Sequence, residues 1–323
     1  MSEVNTTLRE ATAAVSIVGL LKKKELEIKT TNAGEALMGR LTIETAPGNE
    51  VRVDTYVNRM TKATTDKPSK ESAVWKNQKR VYDEYVAMAD LMKDGADEAT
   101  ARAQATRLSL TARLDLNDYV DRDDNIVSTT RINANNAFFS RISEGQAFDP
   151  SARFEVEGYL TAKRPEMKGD DETGRLFLDM IVPGYRGAAR PMTFVTTPEA
   201  GAYIDDHYEV GTTVHVFGEM VNRANVVTTR KAGFMKEEIS ESVTYVNEML
   251  IDNGEPEPYD EDSQLAYKRA DIENAMRVRE LEYLPSVRQR QAERAANKTA
   301  APAGGGFAGV AGKAPRSNTG FTY

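Results

Sequence analysis

Apolar and polar residues alternate with a period of two along several stretches of the chain. Between positions 51 and 57 the odd positions hold valine or threonine, and the even positions include Arg52 and Tyr56. This alternation is typical of a strand with one buried face. A similar alternation covers 37–43, and the sequence Ala-Pro-Gly-Asn at 46–49 predicts a turn that joins the two strands as a hairpin.

The first half of the chain is predicted to contain five strands with one helix inserted after the third. Three strands fall between 15 and 61, and two more are indicated by the patterns at 108–116 and 126–142. The inserted helix is predicted over about 72 to 93, because its apolar residues fall on one helical face. These residues are Val74, Val81, Tyr85, Met88 and Met92.

The second half repeats this order with shorter connections. Its helix is predicted to begin at Thr197, followed by Pro198, and to end near 210, since threonine is a common N-cap and proline is favoured in the first turn. Between its last two strands, 222–235 is expected to form a long, partly basic hairpin arm. The five predicted strands cover 154–160, 176–182, 192–196, 214–220 and 243–251.

Two short patterns occur once in each half, in the same order. The sequence IVGLLKKK at 17–24 returns as VEGYLTAK at 156–163, and RLTIE at 40–44 returns as RLFLD at 175–179. We interpret them as a duplicated module, with coincidence between two β-rich halves as the alternative. The shared glycine is expected to mark a bend in each first strand. The shared arginine is expected to open each second strand at an equivalent point.

These patterns divide the chain into six predicted segments. Two five-stranded domains form the centre, and the Gly/Ala/Pro-rich C-terminus has the composition of a disordered tail. The segments are a flexible N-terminus (1–13), a first domain (14–148), a second domain (149–251), an acidic linker (252–262), a helical segment (263–297) and the tail (298–323).

Composition narrows the possible chemistry. The 323 residues include no cysteine and two histidines, which excludes disulfides, thiolate metal sites and cysteine nucleophiles. Asp123-Asp124 and Asp170-Asp171 lie in turn-like segments, where aspartate is favoured by the backbone. The tail around Lys313 lacks the first glycine and the hydroxyl residue of a phosphate-binding loop. The sequence therefore predicts a protein that is not an enzyme and has no cofactor and no metal site.

The net charge of −8 hides an uneven distribution. Residues 252–262 hold six acidic and no basic side chains, whereas 285–323 hold six basic and one acidic, a net of 6 − 1 = +5. Local basic surfaces are therefore compatible with an acidic total, which matters because phosphate binding depends on local positive charge.

Five strands with a helix between the third and fourth is the order of the oligonucleotide-binding (OB) fold, whose strand 2–3 face binds nucleic acid. We therefore predict a mainly β protein with two tandem OB barrels, each a five-stranded Greek-key barrel with an inserted helix, plus a C-terminal helix and a disordered tail. Cations and aromatic rings on the outward strand faces and loops are the candidate nucleic-acid-binding residues. In the first half they are Lys29, Arg40, Arg52, Tyr56, Arg59, Lys62, Trp75 and Lys76, and in the second Tyr159, Lys163, Arg175, Phe177, Tyr185, Arg186, Arg190, Arg223 and Arg230.

Each candidate also has a structural interpretation. An exposed arginine or lysine is commonly part of an ordinary solvated surface, and an aromatic ring on a short barrel is commonly covered by a loop or helix. For Trp75, packing of its helix on the barrel is the alternative.

The chain resembles the tandem-OB single-stranded DNA-binding proteins encoded by bacteriophages over roughly residues 14 to 285. The resemblance rests on VSIVGLLKKKELEIKTTNAGEALMGRLTI, EVRVDTYVNRMTK and VTYVNEMLIDNGEPEPYDED, followed by a helix beginning DIENAM. It implies sequence-nonspecific binding and protection of single-stranded DNA during phage replication and recombination. The C-terminus, APRSNTGFTY, departs from the acidic tail of many such proteins. Contacts with replication or recombination proteins are expected through 252–262 or the C-terminal tail, and 252–262 is the better candidate for such contacts or for competing with DNA.

Two other functions remain open at this point. One is a virion structural or assembly protein that uses OB-like barrels for protein contacts, and the other is an OB-containing enzyme of nucleic-acid metabolism. The sequence has no apolar run of about 18 residues and no secretion signal at its first residues, so no membrane association and a cytoplasmic location are expected, in the host cytoplasm for a phage protein.

Overall fold

In the computed structural model, residues 8–65, 68–232 and 237–300 are described, with side chains described outside 224–245 and 294–300. The fold is mainly β, as predicted. The predicted tail beyond 300, residues 1–7 and the tip of the hairpin arm at 233–236 lie outside the described residues. Of the predicted flexible N-terminus, Leu8 and Ala11 are buried.

The first half folds in the predicted order of three strands, helices and two strands. The strands are β1 (Ala13–Thr31), β2 (Gly34–Ala46), β3 (Asn49–Asn58), β4 (Arg107–Val120) and β5 (Ile126–Asn133), followed by the short β6 (Ser140–Arg141). The helices between β3 and β4 are α1 (Ala73–Glu84), α2 (Met88–Lys93) and α3 (Glu98–Gln104).

The second half has the same order, and a helical segment follows it. The strands are β7 (Ser151–Lys168), β8 (Asp171–Pro183), β9 (Ala189–Thr196), β10 (Thr213–Ala232) and β11 (Glu237–Gly254), with α4 (Pro198–His207) before β10. The C-terminal strap, as we call it, consists of α5 (Arg269–Val278), a π turn (Arg279–Tyr283) and α6 (Leu284–Ala300).

Strand pairing closes into a circuit in each half. In the first circuit the order is β1-β2-β3-β5-β4 and back to β1, with β3 and β5 parallel through Val53 and Ile132. In the second circuit the order is β7-β8-β9-β11-β10 and back to β7, with β9 and β11 parallel through Val195 and Leu250. All other pairs within these circuits are antiparallel. The two halves therefore have the same topology.

The two circuits join through an antiparallel ladder between β1 and β7. Val15 pairs with Phe154, and these two positions are equivalent in the repeat because 154 − 15 equals 158 − 19, the separation of Gly158 and Gly19. Equivalent positions that face each other indicate a local two-fold axis, the arrangement of an isologous interface. The ladder merges both circuits into one 11-stranded sheet, and the largest buried cluster contains residues of both.

The repeated glycine is required because the neighbouring second strand approaches the first strand closely at this position. A Cβ on Gly19 would overlap the backbone carbonyl oxygen of Glu44 in β2, and one on Gly158 would lie 2.9 Å from Met180 Cε in β8. The bulge in each strand comes slightly later than the expected bend, directly after Leu21 in β1 and Leu160 in β7. The bulge falls at the same position of the repeat in both halves.

The repeated lysine attaches the inserted helix to the first strand. Lys24 Nζ donates to the carbonyl oxygens of Tyr82 and Tyr85, at 2.9 and 2.6 Å, at the end of α1. Lys163 Nζ donates at 2.8 Å to the carbonyl oxygen of Asp205, within the last turn of α4. The last carbonyls of a helix have no intrahelical donors, so a lysine at this point both satisfies them and fixes the helix on the circuit.

The expected equivalence of Arg40 and Arg175 is wrong by two residues. Lys24 pairs with Leu41, and the equivalent Lys163 pairs with Leu178. The residue that corresponds to Arg40 is therefore Phe177, and Arg175 lies two positions earlier. Because side chains in a strand alternate with a period of two, both arginines still point away from the core.

The single helix predicted over 72–93 is interrupted at 85–87. Ser72 caps α1 as its sequence position suggests, with its hydroxyl accepting from the Trp75 backbone N–H. The interruption arises because the backbone of Val86 pairs in both directions with Thr106, which directly precedes β4. Tertiary hydrogen bonds thus override the helical pattern. The predicted strand-like run 126–142 is likewise divided between β5 and β6.

The C-terminal strap connects the two circuits. Near its start the Tyr267 backbone N–H donates to the Thr213 hydroxyl of β10, and near its end the Gln291 amide makes two hydrogen bonds to the backbone of Val120 in β4. The helical path continues through Pro285, which lies just after the π turn. No helix in the described part of the chain is both long and apolar enough to cross a membrane.

A buried ion pair fastens the middle of the strap to the first circuit. The two terminal guanidinium nitrogens of Arg279 donate to the Asp118 carboxylate of β4, and both side chains are less than a tenth exposed. Burial alone would raise the pKa of Asp118, but hydrogen bonds from Arg279, Ser128 and the Tyr283 hydroxyl outweigh it, and the pKa is lowered.

We expect Asp118→Asn to destabilise the protein by about 3–5 kcal/mol near neutral pH, because it leaves the Arg279 charge buried without its partner. A carboxylate whose pKa is lower in the folded state than in the unfolded state stabilises the fold fully above its ordinary, unfolded-state pKa of about 3.9. This stabilisation is lost as the pH falls through the lower, folded-state pKa. Urea unfolding at several pH values should therefore show that the difference in the free energy of unfolding between wild type and variant becomes smaller below about pH 4. An equal difference at all pH values would contradict this assignment.

Candidate nucleic-acid interface

The outward face of the first circuit carries three side chains from each of three neighbouring strands. The strand pairing aligns them in rows across β1, β2 and β3. The rows are Lys23, Thr42 and Arg52; Glu25, Arg40 and Asp54; and Glu27, Met38 and Tyr56. Three basic and three acidic residues share this face, so it is close to neutral as a whole.

Within this face, Arg52 and Tyr56 are the best placed to meet a ligand. The guanidinium of Arg40 bonds to the Asp54 carboxylate at 2.7 Å, and this hydrogen bond raises the pKa of Arg40. Arg52 is exposed and makes no ion pair among the described residues. Tyr56 is 41% exposed. One cation and one ring on the same strand can meet a phosphate and a base.

The other candidate cations of the first half are exposed, and three of them have acidic partners. Arg59 bonds to Glu35 and Glu71, which raises the pKa of Arg59. Lys76 lies 3.4 Å from Glu71, and Lys29 pairs with the adjacent Glu27 of β1. Lys62 is exposed after β3. The structure gathers Arg59 and Lys76 around one carboxylate.

Trp75 is buried, in agreement with the packing alternative. Its indole belongs to a small apolar cluster with Leu37 of β2 and Val57 of β3, and only 5% of the residue is exposed. Neighbouring Gln78 is also buried and bonds to Thr55 of β3. Trp75 therefore fixes α1 on the first circuit in this structure and presents no ring face for stacking.

Several candidates of the second half also have structural contacts. Tyr159 is buried, which raises its pKa, and Lys163 caps α4. Arg175 is half-buried between Glu166 and Glu248. Phe177 is half-buried, with the Arg164 guanidinium 5.4 Å from its ring centre. These positions do not form an exposed cationic face.

Arg190 is an internal residue that joins the two circuits. Its guanidinium donates to the carbonyl oxygens of Val182 and Pro183 in β8 and of Leu114 in β4, at 2.9–3.2 Å. Asp115 lies 3.7 Å away, and burial lowers the pKa of Arg190. Its place directly after the β8–β9 turn suggested exposure, but a guanidinium with several donors also suits an interface rich in carbonyl oxygens.

Tyr185 and Arg186 form the exposed tip of the β8–β9 connection. They belong to a 3₁₀ turn, in which Arg186 adopts a left-handed backbone with φ of 59°. Tyr185 is 68% exposed, and the Arg186 guanidinium lies 5.2 Å from its ring centre. The turn thus presents an aromatic ring and a cation together.

The turn lines a cleft of about 1490 Å³ between the circuits. The 133–136 segment after β5 also lines this cleft and runs along the edge of β3. There the Tyr56 backbone N–H donates to Asn135 Oδ1 at 2.7 Å, and the Ala134 N–H donates to the Asp54 carbonyl oxygen. The edge of β3 that carries Tyr56 is therefore continuous with the cleft that holds Tyr185.

Sequence reasoning missed this polar segment and the basic residue beside it. Asn133, Asn135 and Asn136 line the cleft, as does Arg113 of β4, which pairs with Glu10. The asparagine-rich sequence at 133–136 was the available signal, because asparagine side chains satisfy irregular backbone next to a strand end.

The base of the hairpin arm lies against the first circuit. Arg223 is exposed and lies opposite Asn49 where β10 pairs with β3. The Asn49 side chain bonds to the backbone of Met220 and Asn222. The backbone of Arg230 pairs with Ile239, and its side chain lies outside the described residues. Among the described residues, no group of three or more His, Asp or Glu side chains could hold a metal ion.

Trp75 gives a direct test of its position, since it is the only tryptophan in the chain. We expect blue-shifted emission, weak quenching by acrylamide and little change when oligo-dT is added. Trp75→Phe should lower the free energy of unfolding by about 1–2 kcal/mol through lost packing and leave affinity for oligo-dT unchanged. Strong quenching of this emission by oligo-dT would contradict the buried position.

Comparison with known proteins gives a family and two similar structures. The chain is similar to the wild-type single-stranded DNA-binding protein from Thermus aquaticus at 13% identity, with 79% of this chain and 97% of that chain covered and a TM-score of 0.41. A deletion variant of that protein gives 12% identity, coverage of 80% and 99%, and a TM-score of 0.42. No curated protein matches the sequence. A family model described as YorF matches residues 12–296, and the chain belongs to the YorF family.

Proposed function

We propose that this protein binds single-stranded DNA without sequence preference, with each strand circuit acting as an OB barrel. Five strands with a helix between the third and fourth, closed by pairing of the first strand with the fourth, is the architecture in which the strand 2–3 face binds oligonucleotides. On this proposal β2 and β3 supply the face in the first barrel, and the β8–β9 turn supplies contacts in the second.

The observation that carries the proposal is the continuity between Tyr56 and Tyr185. The Asn135 side chain bonds to the Tyr56 backbone and lines the cleft into which Tyr185 and Arg186 project. A single strand that follows this surface meets an aromatic ring on each barrel, with Arg186 beside Tyr185 and Arg52 four residues before Tyr56 on the same strand. Bases stack on aromatic rings irrespective of sequence, which is the basis of nonspecific binding.

The charge distribution supports binding led by stacking. Arg40, Arg59 and Arg164 all bond to carboxylates, so a phosphate has to compete with those carboxylates for them. Phosphate contacts release counterions from the DNA. For single strands, each contact lowers the logarithm of the binding constant by about 0.7 for a tenfold rise in salt concentration, and we call this dependence the salt slope. Few phosphate contacts and a shallow salt dependence are therefore expected for an acidic chain of this kind.

We infer that the protein acts by coating and protecting DNA and not by catalysis, with phage replication and recombination as its setting. This role follows from the resemblance of its strands to phage single-stranded DNA-binding proteins. The acidic segment 252–262, exposed at all six of its acidic positions, is the proposed contact for replication or recombination proteins.

Titration with fluorescent oligo-dT at 50 mM salt tests the proposal. Tyr56→Ala and Tyr185→Ala should each weaken binding about 5- to 100-fold, since a stacked base contributes about 1–3 kcal/mol, and leave the salt slope nearly unchanged. Tyr203→Ala is the matched control, because Tyr203 is 43% exposed on α4 and does not line the cleft. No binding by the wild-type chain, or equal losses in all three variants, would refute the proposed function. Stable oligomers that ignore oligo-dT would instead favour a virion assembly protein.

A further inference from the structure

We propose that the C-terminal strap is part of the DNA-binding surface, with Tyr283 as a base-stacking residue and Arg290 as its phosphate contact. This inference rests on the proposed function and extends it to a segment outside both barrels. It assigns a binding role to two residues that strand patterns cannot identify.

The first support is the position of Tyr283. It lines the same cleft as Tyr185 and Arg186 and is 40% exposed. Its neighbours Glu280 and Glu282 are exposed but do not line the cleft. The π turn therefore presents its aromatic ring to the cleft and its acidic residues elsewhere.

The second support is the pair of cations around the ring. The guanidinium carbons of Arg279 and Arg290 lie 5.5 and 5.6 Å from the centre of the Tyr283 ring. Arg279 is buried against Asp118 and holds the turn in place. Arg290 bonds to Ser286 of its own helix, packs against the Tyr283 ring and makes no ion pair among the described residues. Its charge is available to a phosphate without competition from a carboxylate.

The third support is the π turn itself. The Leu284 N–H donates to the Arg279 carbonyl oxygen, a bond that spans five residues and changes the helical phase between α5 and α6. In this arrangement Arg279 bonds to Asp118 of β4 while Tyr283 lines the cleft. Single π turns within helices occur frequently at functional sites, because they reorient side chains at a cost in stability.

The strap can act without moving. It is bonded to the second circuit at Thr213 and to the first at Val120, so Tyr283 is held at the cleft before DNA arrives. The cleft, at about 1490 Å³, exceeds the roughly 300–1,000 Å³ of a small-molecule pocket and suits a segment of an extended chain. A preorganised ring loses little entropy when a base stacks on it.

Photo-crosslinking locates the contact on the wild-type chain. Oligo-dT with 5-iodouracil at single positions would be irradiated in complex with the full chain, and the crosslinked peptides identified by mass spectrometry. We expect crosslinks on Tyr283 as well as on Tyr56 and Tyr185. Crosslinks confined to Tyr56 and Tyr185 would overturn the inference and leave the proposed function intact. Absence of any binding would overturn both.

Matched variants test the energetic contribution. Tyr283→Ala should weaken oligo-dT binding about 5- to 100-fold, whereas Tyr283→Phe, which keeps the ring, should stay within about twofold. Leu281→Ala, in the same turn, 66% exposed and outside the cleft, should bind as wild type. Arg290→Gln should reduce the salt slope by about 0.7. Equal weakening by Leu281→Ala, or unchanged binding by Tyr283→Ala, would overturn the inference.

Discussion

The antiparallel ladder between β1 and β7 is the interaction on which the rest of the structure depends. The first part of β1 pairs with β4 on one edge and β7 on the other, and the first part of β7 pairs with β1 and β10. Neither strand therefore has a free edge along this stretch, which removes the usual site of unwanted strand pairing. Two circuits that each close on themselves become one sheet, and the cleft between them has a fixed shape.

The local two-fold axis at Val15 and Phe154 sets the relative orientation of the equivalent faces of the two halves. Equivalent strands pair with each other, so equivalent faces point in different directions about the axis. The path that we propose for DNA across both circuits uses different elements in each half: the β2–β3 face with Tyr56 in the first and the β8–β9 turn with Tyr185 in the second. The strap, which occurs once, breaks the symmetry and completes the cleft.

Much of the fold follows from local patterns in the sequence. The alternation in 51–57 predicts β3 correctly, because each apolar position faces a core and each polar one faces solvent. The repeat correctly identifies the equivalent first strands. Their glycine allows close approach of the second strand, and their lysine bonds to carbonyl oxygens at the end of the inserted helix, in both halves. The register of the second strand was beyond reach, since the connection from Lys163 to its partner Leu178 (178 − 163 = 15) is two residues shorter than that from Lys24 to Leu41 (41 − 24 = 17), a difference that the short motif matches do not reveal.

The candidate site was harder to predict than the fold. Tyr56, Arg52 and Tyr185 are exposed as expected, but Trp75, Tyr159 and Arg190 are buried, because exposure depends on contacts between segments that are distant in sequence, such as α1 with β2 and β3. Arg190 shows the limit most clearly: its partners lie in β4 and β8, and nothing near position 190 identifies Leu114 as an acceptor. Tyr283 was missed for the same reason, since the role proposed for it depends on a cleft that exists only in the folded chain.

The most direct test of the account is a disulfide across the β1–β7 ladder, which the absence of cysteine makes simple to engineer. Ser16 and Arg153 are exposed and directly opposite each other, a pairing distance within disulfide range. We expect Ser16→Cys with Arg153→Cys to crosslink on mild oxidation and to keep its affinity for oligo-dT within about twofold. Ser16→Cys with Glu155→Cys, two residues out of register, should crosslink poorly. Failure of the first pair to crosslink, or loss of DNA binding once it does, would contradict one fixed surface across both circuits.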